Sequence, residues 1–353
     1  MRGFTDNLDF LAARLHGRCS RMAVGGRLDA LCQVRTMPRF AAEVLPGSET
    51  AAATEIQRQL VRDLAREVAS IAAQLASTGA ELLRWLAVRF QVENLKILLR
   101  GMLTGERLEL LPPHLVPLPR EFALDAASLT GARSVDEFLP LVPRGPLRRR
   151  FTQAVQHHRE DKRPFFFEAA LDQGYFEELL TQTEALAGQD KEMVKPLVLQ
   201  ESDTFHLMLV MRGRFIHRLE VSALLPFHVP GTGISRGRFA AMLADADLRT
   251  AASRALGRAL DTLPVVSGGS GKAADAMVPA EFEALAWSRF LRLANRAFRR
   301  SHTGFAAVVA FVEMRRVEVA NLITLSEGIR ARFPAERVRA QLVPRPLAEV
   351  PHV

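Results

Sequence analysis

A chain of 353 residues, 48% of them hydrophobic, has ample material for a buried core and exceeds one ordinary domain. That excludes disorder and predicts two or three units. The net charge is +8, from 47 basic against 39 acidic residues, but the charges interleave along the chain and form no long block of one sign. No apolar run reaches the roughly 18 to 20 residues of a membrane-spanning helix, and the two cysteines, Cys19 and Cys32, are too few for a disulfide framework.

In chain order, residues 1–18 mix Asp and Arg among their apolar residues and lack a signal-peptide core. The expectation is a cytoplasmic protein. The stretch Arg35 to Thr50 reads as an insertion. Ile56, Leu60, Leu64, Val68, Ile71 and Leu75 then step by three or four residues and predict an amphipathic helix. Past Thr78-Gly79 a second helical run carries Trp85 and Phe90 forward, with Gly101 and Gly105 as stop signals. A proline-rich connector (Pro112 to Pro119) leads to short amphipathic pieces around Leu124-Asp125 and Val135 to Phe138. Farther on, Pro226, Pro230, Gly231 and Gly233 precede Phe239, Leu243 and a helix predicted for Leu248 to Leu260. The glycine- and serine-rich segment Pro264 to Pro279 reads as a linker. Gly304 to Val312, flanked by arginines, reads as one buried helix.

One short helical pattern recurs three times. It begins at Gln91, Asp203 and Glu318, at steps of 112 and 115 residues. Each copy continues with Asn94, His206 or Asn321, then aliphatics, then Arg100, Arg212 or Glu327, and closes on Gly101, Gly213 or Gly328. Upstream, Phe167-Glu168-Ala169 and Phe282-Glu283-Ala284 keep the 115-residue step, as do Tyr175 and Phe290. Such a period marks copies of one structural unit. The predicted fold is all-α, with helical units at 1–158 (insertion about 35–50), 159–264 and 280–353, and a linker at 265–279.

At 100° per residue the first motif position and the following aliphatics share one face, the Asn or His lies at its edge, and Arg100 and Arg212 lie opposite. A buried polar side chain needs a hydrogen-bond partner. Two roles follow for Gln91, Asn94, Arg100, Asp203, His206, Arg212, Glu318, Asn321 and Glu327: locking neighbouring helices, or lining a surface that grips a partner.

Catalytic, metal and cofactor chemistry find no support. Ser267 to Lys272 lacks the upstream glycine and the Ser/Thr after the lysine that a phosphate loop needs. Gly231 to Gly237 has the wrong spacing for a dinucleotide loop. Adjacent His157 and His158 cannot face one metal from a helix, and His206 and His217 stand too far apart for a zinc motif. His16 and Cys19, with Cys32, lack a fourth ligand. The arginine clusters at 144–150 (Arg144, Arg148, Arg149, Arg150) and at 296–300 (Arg296, Arg299, Arg300) leave open a solvated helix face or an anionic partner.

Together the three motifs, with Leu171-Asp172-x-x-Tyr175, resemble the C/d-type stalk-socket family of V-type and A-type rotary ATPases over roughly Asn7 to Val343. His206 and Glu327 depart from the family's pattern, which expects Asn and a basic residue there. The resemblance implies a non-catalytic central-stalk subunit without cofactor or metal, built as a pseudo-threefold funnel of helical domains. It implies a peripheral place on the cytoplasmic membrane face, with the proteolipid ring and central-stalk subunits as partners, in ion transport coupled to ATP synthesis or hydrolysis. The alternatives are a basic helical-repeat module for nucleic acid and an adaptor scaffold. Against the former, the aromatic residues sit mostly on apolar stripes and acids alternate with the bases.

Overall fold

The computed structural model describes residues 8–344 apart from 49, 76–77, 108–109, 112–113, 162 and 258–278. All regular elements among the described residues are helical. Three short helices open the chain: α1 (Leu8–Cys19), α2 (Gly26–Cys32) and α3 (Met37–Val44). A first long hairpin follows, α4 (Ala53–Ala72) and α5 (Thr78–Thr104), then the shorter α6 (Ala126–Gly131), α7 (Val135–Phe138) and α8 (Pro146–His158). The second hairpin is α9 (Pro164–Glu184) and α10 (Gly188–Val210), which runs on into a π-helical turn at Met211–Ile216. After α11 (Val221–Leu224), α12 (Arg236–Ala244) and α13 (Leu248–Leu256) comes the third, α14 (Pro279–Ser301) and α15 (Phe305–Arg330), and then α16 (Ala335–Arg339).

The hairpins connect cyclically. The two helices of each pack together, and each second helix packs on the first helix of the next hairpin: α5 on α9, α10 on α14, and α15 on α4. The sequence supports this arrangement locally. Ile56, Leu60, Leu64, Val68 and Ile71 are all buried, so the stripe of α4 faces the core. Residues Phe305 to Val312 are all buried because α1, α4, α10 and α14 surround α15. Proline in the first turn of α8 and α9 gives up no hydrogen bond. Asp125, Ser134, Ser235 and Asp247 cap α6, α7, α12 and α13 with their side chains.

The structure corrects one expectation. Gly101 does not stop its helix: it is buried inside α5, which ends at Thr104 before Gly105 with φ of 74°. The residues before Ala53 touch both the first and the third hairpin: Arg18 of α1 pairs with Glu67 of α4 at 3.0 Å, and Ser48 bonds Gln59 of α4. Helices α1 and α3 lie on α15, and α2 lies on α16. The stretch read as an insertion therefore contains a helix that serves the far end of the chain. His16 belongs to the same packing, with its ring 4.4 Å from that of Phe298 and its Nε2 2.9 Å from the carbonyl of His302. The predicted linker, apart from Pro279 at the start of α14, and the phosphate-loop lookalike at Ser267 to Lys272 lie outside the described residues.

Candidate functional site

All three motifs fall on the second helix of a hairpin, and in each the polar residues hold the chain segment that returns after it. Asn94 clamps Val116 on both sides, its Nδ2 donating to Val116 O at 2.9 Å and its Oδ1 accepting from Val116 N at 2.8 Å. Asn321 repeats the clamp on Val343, at 2.6 and 2.9 Å. The two bonds span 22 residues in each case. His206 holds Val229 at nearly the same separation, but an imidazole supplies only the acceptor: Val229 N donates to Nε2 at 3.0 Å. The missing donor comes from Thr232, whose Oγ1 lies 3.2 Å from Val229 O. The departure at His206 thus keeps the clamp with a different set of atoms.

The first motif position acts alongside. Gln91 donates to Phe122 O and Asp203 accepts from Ile234 N, each across 31 residues. Glu318 accepts instead from Ala23 N and pairs with Arg315, so the N-terminal segment takes that place in the third copy. The closing glycines permit the close approach of the return segment. A Cβ on Gly213 would lie 2.6 Å from a methyl of Leu224, and one on Gly328 would lie 2.4 Å from a methyl of Val338.

In the first and third copies the tenth motif position bridges hairpins. Arg100 pairs with Glu168 of α9 at 2.8 Å. Glu327, the sign-reversed member, accepts from Gln57 of α4 at 2.6 Å. Arg100 is exposed, and its bridge to α9 has no signature in the motif itself. Arg212 is exposed on the π turn and has no ion pair among the described residues.

Two residues upstream of each motif start lie Arg89, Glu201 and Arg316, related by the same steps of 112 and 115. These three equivalent positions meet. Arg316 Nη1 is 2.6 Å from Glu201 Oε1, and Arg89 Nη1 is 3.5 Å from the same oxygen. Glu313 joins at 2.9 Å from Arg316 Nη2. Aromatic faces flank both guanidinium groups: Tyr175 and Phe176 at 5.4 and 5.6 Å from Arg89, Trp287 and Phe290 both 5.3 Å from Arg316. Lys96 continues the network to Asp172 at 2.6 Å. Sequence reasoning missed this cluster, although carrying the period two residues upstream would have found it.

Burial sets the electrostatics. It works against the charged guanidinium groups, but Glu201 and Glu313 around Arg316, and Glu93, Asp172 and Glu201 around Arg89, more than offset it, so both arginines stay charged. Burial also pushes Glu313 up to about 7, with Arg316 opposing the rise. Asp203 rises to about 6 through loss of solvent, despite its bond from Ile234 N. His206 falls to about 3 because a buried imidazolium, further opposed by His228, is unfavourable.

Arg89 and Arg316 keep 23% and 17% of their side-chain surface exposed because both line a cleft of about 580 Å³. Phe90, Trp287, Val317 and Ile323 make its wall largely apolar, and the clamp residues Asn321, Val116 and Val343 edge it. The site therefore joins structural clamps and a buried charge cluster to a concave apolar surface. Among the described residues no group of three or more His, Cys, Asp or Glu is arranged to hold a metal ion. No described helix is long and apolar enough to cross a membrane.

Among the described residues, three cyclically packed helical hairpins with repeated polar clamps and a charge cluster between them define an all-α protein. Residues 39–341 match the ATP synthase (C/AC39) subunit family of V/A-type ATP synthases, and the chain belongs to it. Members of that family are non-catalytic stalk subunits. A comparison with curated proteins finds no match.

Proposed function

We propose that this chain is the socket between the central stalk and the membrane proteolipid ring of a V/A-type ATPase, and that it transmits rotation between them on the cytoplasmic face of the membrane. The observation that carries the reading is the cyclic packing of three hairpins around Arg89, Glu201 and Arg316, beside a concave apolar cleft. A coupling part must pass torque without yielding. Packed helices joined by buried, hydrogen-bonded charges transmit strain, because close-packed interiors have low compressibility.

In this reading the three hairpins form a funnel of three quasi-equivalent units, with α1 to α3 completing the third. The cleft is a seat for an apolar segment of a stalk protein, with Arg89 and Arg316 meeting acidic groups at its edge. Gln91, Asn94, Asp203, His206, Glu318 and Asn321 act indirectly, by fixing the return segments that form the rim. The chain itself performs no chemistry and needs no cofactor.

Affinity purification of the tagged chain from its host's membranes in mild detergent tests the proposal. Recovery of proteolipid and stalk subunits is the expected result. Recovery of RNA or of unrelated proteins alone would overturn it in favour of a binding module or an adaptor.

A further inference from the structure

The 115-residue step relates α9 to α14, and the two helices carry opposite residue types at the same positions of one face. In the second unit, α8 lies tightly on α9. A Cβ on Gly174 would meet Pro146 O at 2.8 Å and Leu147 Cα at 3.0 Å, so backbone approaches backbone there. One turn on, Glu177 is held by Arg149 at 3.3 Å and by Arg150. The face is closed and neutralised.

On α14 the equivalents of Gly174, Glu177 and Thr181 are Arg289, Arg292 and Arg296. An arginine in place of glycine bars a backbone approach, and an arginine in place of glutamate removes the partner that a neighbouring basic helix would use. By the same step the counterpart of α8 is 261–273, outside the described residues; α13, at 248–256, packs on α10 and α12. Among the described residues this side of α14 borders an open pocket of about 960 Å³, lined by Arg238, Arg254, Arg289, Arg292 and Arg296 with Ser253 and the backbone near Gly257.

Of these five arginines only Arg254 has an ion-pair partner among the described residues, Asp245 at 2.8 Å. Asp203 stands within the field of Arg289 and Arg238 but forms no ion pair with either, and its Oδ1 is bonded to Ile234 N. Among the described residues no acidic side chain lines the pocket. Arg289, Arg292 and Arg296 recur at i, i+3 and i+7, so they share one side of α14 and converge on the cavity. Like charges gathered this way repel one another and disfavour the empty state. A guanidinium group meets phosphate oxygens through paired N–H donors in a fork geometry.

We propose that the pocket between α12, α13 and α14 is a binding site for a ligand bearing two or more phosphate groups, either a soluble polyphosphate compound or the headgroup of a phosphorylated lipid. The site is separate from the cleft at Arg89 and Arg316 and does not depend on the coupling role.

Titration calorimetry of the full chain with inorganic tripolyphosphate, and flotation with phosphatidylcholine vesicles with or without a phosphoinositide bisphosphate, test the site and its source together. The double variant Arg292→Ala/Arg296→Ala is the probe. Arg39→Ala/Arg66→Ala, which removes the same charge from exposed positions elsewhere, is the control. All four side chains are exposed, so folding is preserved, and a thermal melt checks that. Tripolyphosphate binding that weakens at least about tenfold in the probe and not in the control supports a soluble ligand. Vesicle binding with the same variant dependence, without tripolyphosphate binding, supports the lipid. Binding in neither assay, or binding that survives in the probe variant, overturns the proposal.

Discussion

Replacing His206 by the asparagine found at the equivalent positions 94 and 321 changes how the protein responds to acid. His206 is fully buried, its Nε2 accepts from Val229 N, and its ring stacks 4.9 Å from that of His228. Protonation would place a second donor against Val229 N–H and a charge among Phe205, Phe239 and His228. The folded pKa of about 3 lies below the ordinary histidine value, so between the two the unfolded chain binds the extra proton. His206 therefore contributes stability that is fully present above about pH 6.5 and is lost as pH falls toward 3. At pH 5, about 1.5 units below the unfolded value, the loss is about 2 kcal/mol. Asp203 and Glu313 have the opposite sign. Their folded values of about 6 and about 7 lie above the ordinary carboxylate range, so their contributions fall as pH rises through those values. Both remain in His206→Asn and cancel in the difference. Urea unfolding of the two proteins at pH 8 and pH 5, followed by tryptophan fluorescence, should show their stability difference shifting toward the variant by about 2 kcal/mol at the lower pH. A difference independent of pH would refute a neutral, buried His206.

Further substitutions probe the clamps, the charge cluster and the helix seams. Asn94→Ala removes both bonds to Val116 and should cost about 2 kcal/mol by chemical denaturation, with Asn321→Ala similar. Glu201→Ala leaves Arg89 and Arg316 facing each other in the interior and should cost about 3–5 kcal/mol, whereas Arg330→Ala, at an exposed pair, should cost under about 1 kcal/mol. Gly174→Ala forces α8 away from α9 and should lower stability by about 1–3 kcal/mol. Gly17→Ala in α1 meets nothing within 4 Å and should raise it by about 0.5 kcal/mol; thermal melts of the two variants would show the contrast.

The sequence revealed what is periodic and concealed what is not. The stripe from Ile56 to Ile71 and the motifs at Gln91, Asp203 and Glu318 were legible because helical spacing and a fixed step leave marks in the residue order. The clamp partners were not, because Val116, Val229 and Val343 contribute backbone atoms, which carry no residue signature. The place of α1 was hidden for a related reason: the residues of 1–18 carry no copy of the repeated motif, and nothing in their order names the helix they pack on. Arg89, Glu201 and Arg316 are a different case. They obey the period and were overlooked because they precede the recognisable motif. Gly101 misled because a glycine ends a helix only where the backbone turns to positive φ, which happens at Gly105, while Gly101 stays buried within α5.

Coupling itself is best tested in reconstituted vesicles that contain the rotary complex with and without this chain, recording ATP hydrolysis and ion uptake in the same sample. If the chain joins stalk to ring, its removal leaves hydrolysis running while uptake stops, and adding it back restores uptake. Uptake that continues undiminished without the chain would contradict the coupling role.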